Sequence, residues 1–84
     1  MTKPIIYTLP ACVQCESSKR YLDKYQIEYD SIDMSQDPEA HKYVTELGYS
    51  QAPVVVFGEQ HWSGFRMERL DGIVKQARSE EKPL

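Results

Sequence analysis

The stretch PVVVF at 53–57 constrains the fold of this chain more than any other. It is a continuous run of β-branched and aromatic residues without polar alternation. A strand of that kind is buried on both faces and lies inside a sheet rather than at its edge. A chain of 84 residues holds one domain, so the layers covering this strand must come from the same small unit.

The remaining elements follow from local signals. PIIYT, 4–8, reads as a short apolar strand broken by Leu9-Pro10-Ala11. Helical spacing then aligns Cys15, Ser18, Leu22 and Tyr25 on one face. QIEYDSIDM, 26–34, reads as a second strand, although its alternation is imperfect. In SQDPEAHKYVTELG, 35–48, Asp37 suits an N-cap, Pro38 the first helical position, and Glu39 the positive end of the dipole. Ala40, Tyr43, Val44 and Leu47 form the expected buried stripe, and Gly48 stops the helix. After the PVVVF strand, Gly58-Glu59 suits a type II′ turn with QHWS returning as its partner. From Arg66 onward, Met67, Leu70, Val74 and Ala77 keep helical spacing. The expected domain is 1–78, with SEEKPL, 79–84, as a frayed polar tail. The order is β-α-β-α-β-β-α. It describes an α/β domain whose four-stranded mixed sheet, parallel in its first half and closed by a hairpin, is flanked by three helices.

Ten basic and 13 acidic residues give a formal charge of −3, with no basic run. That balance argues against nucleic acid or an anionic membrane as a main partner. Neither a signal-peptide pattern nor a stretch of transmembrane length is present, so the cytoplasm is the expected compartment.

The only two cysteines stand in PACVQC, as Cys12 and Cys15. A bridge between them closes too short a loop to constrain the unfolded chain much, so a purely structural disulfide explains the spacing poorly. In the cytoplasm such a pair is catalytic or metal-binding. A structural zinc site needs four ligands. His41 and His61 are the only histidines, and they lie in no pair of metal-ligand spacing, so neither a metal nor a cofactor is expected. A redox couple fits the context better. Cys12 follows a strand at the start of a helix, where the macrodipole and free N–H groups favour thiolate. Cys15 sits in the first turn, on the same face and near disulfide reach. Cys12 is the expected attacker and Cys15 the resolver.

YTLPACVQC at the end of the first strand, QAPVVV opening the third, and HWSGFR after it resemble the NrdH-redoxins over about residues 4–78. These are small glutaredoxin-like proteins of the thioredoxin-like fold. The resemblance implies an electron carrier rather than a stand-alone enzyme, with protein-disulfide oxidoreductase activity. It would be reduced by thioredoxin reductase with NADPH and would reduce the large subunit of class Ib ribonucleotide reductase. It implies that Pro53 is a cis-proline facing the cysteines and that Ala52 offers its backbone to an extended substrate. It also assigns Val13 and Gln14 between the cysteines, and Trp62, Ser63, Gly64, Phe65 and Arg66 of the W-S-G-F-R motif, to partner binding. Read on their own, Pro53 is a strand-start proline, and WSGFR is a hydrophobic strand end, a turn glycine and a helix start, with Trp62 and Phe65 either core or a docking patch. Three departures stand out. Leu9-Pro10-Ala11 lacks the basic residue many members carry before the first cysteine, and Met67 replaces the proline that usually follows the motif. The first strand also lacks the buried carboxylate of thioredoxins. The alternative is a glutathione-dependent glutaredoxin, for which SGFRMER holds one glycine, and Arg66 where an acid would serve. A non-catalytic adaptor has no use for both cysteines.

Overall fold

The computed structural model describes residues 3–81. Its elements are β1 (Ile5–Thr8), α1 (Val13–Lys24), β2 (Asp30–Asp33), α2 (Pro38–Glu46), β3 (Val54–Phe57), β4 (Gln60–Ser63) and α3 (Met67–Glu81). The order is the one expected. The strands form one sheet, β2-β1-β3-β4, with β1 and β2 parallel and the other two pairings antiparallel. The apolar run thus lies in the interior of the sheet, where both of its faces are covered.

Strand alternation divides the core into two layers. Ile6 and Val55 are paired across β1 and β3 and point toward α1 and α3, where they meet Leu22, Leu70, Ile73 and Val74. Tyr7 and Val54, the next pair, point the other way, onto Met34 and onto Ala40 and Val44 of α2. Leu22 and Leu70 are fully buried. Burial of such a side chain contributes roughly 1.5–3 kcal/mol, so these two residues anchor α1 and α3 to the sheet. The structure is a three-layer sandwich of helix, sheet and helix.

The start of α2 follows its sequence signals, with the Asp37 side chain accepting from Ala40 N at 3.1 Å and Pro38 in the first turn. Gly48 ends it at φ +98°, with Gly48 N donating to Thr45 O and Tyr49 N to Val44 O. That is a Schellman closure. α1 closes the same way through Gln26, whose φ is +58°, with Gln26 N on Asp23 O and Ile27 N on Leu22 O.

This second closure accounts for one difference from expectation. The segment 26–29 completes the helix stop, so β2 is confined to Asp30–Asp33. Ile27 and Tyr29 pack on the core from the loop rather than from a strand. Tyr43 is 41% exposed and leans on Tyr7 with ring centroids 5.8 Å apart, so the buried stripe of α2 is narrower than its spacing indicated. Met67 is also exposed, because it is the first residue of α3 and lies before the turn that meets the sheet. α3 runs on to Glu81, into the segment read as a tail, and the remaining residues, 82–84, lie outside the described residues.

Candidate redox site

β1 delivers the chain to one end of the sheet at Thr8, and Leu9, Pro10 and Ala11 turn it into α1. Ala11 takes φ +56°, a left-handed conformation that costs an L residue about 1–2 kcal/mol. The turn places Cys12 at the N-cap of α1 with extended backbone. Cys12 Sγ accepts from Cys15 N at 3.1 Å, and Cys12 O accepts from Glu16 N at 3.2 Å. Sulfur here takes the place that a Ser or Asp oxygen takes in an ordinary cap. A thiolate at this position would receive an N–H bond and the positive end of the helix dipole.

Cys12 and Cys15 are joined in a disulfide, with Cα atoms 5.2 Å apart. Their access differs sharply. Cys15 is 1% exposed, whereas Cys12 is half-buried and followed by Val13 at 79% exposure. An incoming sulfur therefore reaches Cys12 first, and Cys15 Sγ approaches only from within. Tyr7 supplies no base on the β1 side. Burial pushes its hydroxyl above the usual value, with Tyr43 and Asp37 adding to the shift, so it stays protonated at neutral pH.

The antiparallel pairing of Tyr7 with Val54 brings the start of β3 to the same end of the sheet as this turn. The Ala52–Pro53 peptide bond there is cis, and Pro53 is fully buried. Ala52 is half-buried against the α2-side cluster. β4 returns to the same end, pairing Ser63 with Val54. Gly64, at φ +85°, then donates its N–H to Pro53 O at 2.8 Å. Phe65 N donates to Gln14 Oε1 at 3.0 Å, a contact between residues 51 positions apart. The redox turn, the cis-proline and the turn after β4 are thus brought together. Arg66 is exposed and its Nε donates to Ser63 O at 3.4 Å.

Of the two places open to Trp62, core or docking patch, the structure shows the core. The Trp62 ring is 4% exposed, in the cluster with Ile6, Leu22 and Val55, with the Arg69 guanidinium 5.7 Å above it. The indole is core, and the apolar groups at this surface are Leu9, Val13, Met67 and the half-buried Phe65. Local patterns also missed a cleft of about 170 Å³ beside the turn, lined by Leu9, Met34, His41 and Tyr49 among others, and reaching Gln51 next to Ala52. No local motif marks it, since it forms only where the turn after β1, the residue after β2, α2 and the loop before β3 converge. Among the described residues, no three His, Cys, Asp or Glu side chains gather as a metal site, and no helix is long and apolar enough to cross a membrane.

Comparison with known proteins agrees with this arrangement. The glutaredoxin family model matches residues 5–62. The glutaredoxin-like protein NrdH of Escherichia coli K12 is 36% identical over 68 residues, covering 81% of this chain and 84% of that one. The gene 56 protein of Mycobacterium phage D29 is 33% identical over an 89-residue alignment, covering 100% of this chain and 97% of its own. Among solved structures, the E. coli glutaredoxin-like protein NrdH-redoxin superposes with a TM-score of 0.82 at 34% identity. The match covers 84% of this chain and 93% of that one.

Proposed function

This chain belongs to the glutaredoxin family and, within it, to the NrdH-type proteins, and we propose that it carries electrons from thioredoxin reductase to protein disulfides, those of class Ib ribonucleotide reductase foremost. The observation that carries this reading is the asymmetry of the pair. Cys12 is half-exposed at the helix N-cap, while Cys15 is buried behind it and donates its N–H to Cys12 Sγ. The solved E. coli relative is described as having a thioredoxin-like activity profile, which supports the choice of reductant.

The chemistry is thiol–disulfide exchange. Cys12 thiolate attacks one sulfur of the partner's disulfide. The partner's S–S bond breaks, and its other sulfur leaves as thiolate and takes a proton from water. Cys15, deprotonated, then attacks Cys12 Sγ. The mixed disulfide breaks, and the partner leaves with both sulfurs reduced. Two electrons have moved to the partner, and the Cys12–Cys15 disulfide remains. Thioredoxin reductase returns two electrons from NADPH to reopen it. In this reading Val13 and Phe65 form apolar contacts with the docked partner, Ala52 pairs with its backbone, and Pro53 flanks the exchanging sulfurs. Ser63, Gly64 and Arg66 hold the turn that presents Phe65. The reading sets the protein at work in the cytoplasm.

Glutathione is the competing reductant on the same fold. It is a small anion that needs charged partners for its carboxylates and amine, each such hydrogen bond being worth about 1.5–3 kcal/mol. Beside the cysteines stand Leu9 and Ala11, and at the start of α3 stand Arg66 and Met67. Two missing contacts, about 3–6 kcal/mol together, weaken binding by roughly two to four orders of magnitude. NADPH oxidation coupled to insulin reduction tests the choice. Thioredoxin reductase is expected to drive turnover, and glutathione with its reductase to drive it poorly. Equal or faster turnover with glutathione would make this protein a glutathione-dependent glutaredoxin instead.

A further inference from the structure

Gln14 is an exposed residue between the cysteines, in a position where a side chain has no evident reason to be fixed. Yet Gln14 Oε1 accepts the Phe65 N–H at 3.0 Å. A Cβ placed on Gly64 would meet the same oxygen at 3.4 Å, so the turn after β4 runs directly against this amide. Gly64 N in turn donates to Pro53 O at 2.8 Å. The side chain of Gln14 therefore ties the redox turn to the turn that carries Phe65, and through Gly64 to the cis-proline.

We propose that Gln14 is a positioning residue for protein substrates: its amide oxygen sets the place of Phe65 relative to Cys12, and so the shape of the apolar face that a partner protein meets. Three observations make the contact suited to this task. The acceptor comes from the first turn of α1 and shares that rigid element with both cysteines. The donor is a backbone N–H, so the bond fixes main chain rather than one rotamer. Phe65 is half-buried and packs against the core cluster from this turn, so a small shift of its backbone changes how much ring faces outward. A small disulfide needs only Cys12. A folded partner must also fit Val13 and Phe65 at once.

The inference rests on the proposed transfer to protein disulfides, but its test does not depend on the reductant. The protein is reduced with dithiothreitol, freed of it, and mixed in single turnover with insulin or with a small aromatic disulfide. Gln14→Met keeps the length of the side chain and removes the acceptor. Gln14→Glu keeps an acceptor oxygen. For Gln14→Met the half-saturating insulin concentration is expected to rise two- to tenfold, the loss of one neutral hydrogen bond, with the maximal rate within twofold. The rate with the small disulfide is expected to fall less than the rate with insulin. Phe65 amide exchange, followed by NMR, is expected to quicken in Gln14→Met and to be restored in Gln14→Glu. Equal losses with both substrates would overturn the inference, and so would a faster Phe65 exchange with no change in the insulin dependence. Failure of thioredoxin reductase to reduce the wild-type protein would count against the proposed function alone.

Discussion

Two glycines with the same backbone demand and different surroundings separate stability from function. Gly48 has φ +98° and Gly64 φ +85°, both in the region L residues avoid. A Cβ on Gly48 meets nothing within 4 Å, and one on Gly64 meets only Gln14 Oε1 at 3.4 Å, ordinary van der Waals contact. Steric overlap is thus small in both, and the backbone dominates. A left-handed alanine costs about 1–2 kcal/mol. Restricting the unfolded chain returns roughly 0.4–1 kcal/mol. Gly48→Ala and Gly64→Ala should therefore each lose about 1 kcal/mol net, or roughly 4–8 °C of Tm for a domain of this size. Thermal unfolding of the oxidised protein measures this. Only Gly64 holds the turn beside the cysteines, so only Gly64→Ala should weaken the dependence of turnover on insulin concentration. If Gly48→Ala costs nothing, the backbone argument is wrong. If both variants lose protein-disulfide reduction alike, the turn after β4 has no special part in docking.

The cysteine roles are separable. Cys15→Ser should trap a mixed disulfide with a protein partner through Cys12, whereas Cys12→Ser should trap little, and the reverse pattern on non-reducing gels would invert the assignment. Asp33 accepts from both Ser35 Oγ and Ser35 N, and these bonds hold its carboxyl below the usual aspartate range. Because the folded value is the lower one, its stabilisation is complete above about pH 3.9 and is lost as pH falls below that through the folded value. In urea unfolding between pH 6 and 2.5, the advantage of the wild type over Asp33→Asn should shrink in that acid window, and a gap independent of pH would contradict the assignment.

The parts of the fold that were legible in the sequence are those decided within a few residues. Asp37-Pro38 and Gly48 bound α2 because a cap, a fixed φ and a left-handed stop each act locally. The Cys12 cap was legible for the same reason. The end of α1 was not, because a glutamine in the left-handed position gives no glycine signal, and the segment 26–29 then read as strand. The cis state of Ala52–Pro53 came from family resemblance alone, since few X-Pro bonds are cis and nothing local marks them. The Gln14–Phe65 bond joins residues 51 apart and has no local trace at all.

Trp62 is a different case, because its burial was derivable. A two-residue turn at Gly58-Glu59 sets the hairpin register, pairing Phe57 with Gln60, Val56 with His61 and Val55 with Trp62. Residues directly opposite in a sheet share a face. Val55 lies in the middle of the apolar run and points toward α1 and α3, so Trp62 must point there as well. His61, opposite Val56, falls on the other face and is exposed. The motif W-S-G-F-R therefore divides at the strand end. Trp62 braces β4 against the two helices, and the residues after it, released from the sheet at Gly64, are the ones free to meet the redox turn.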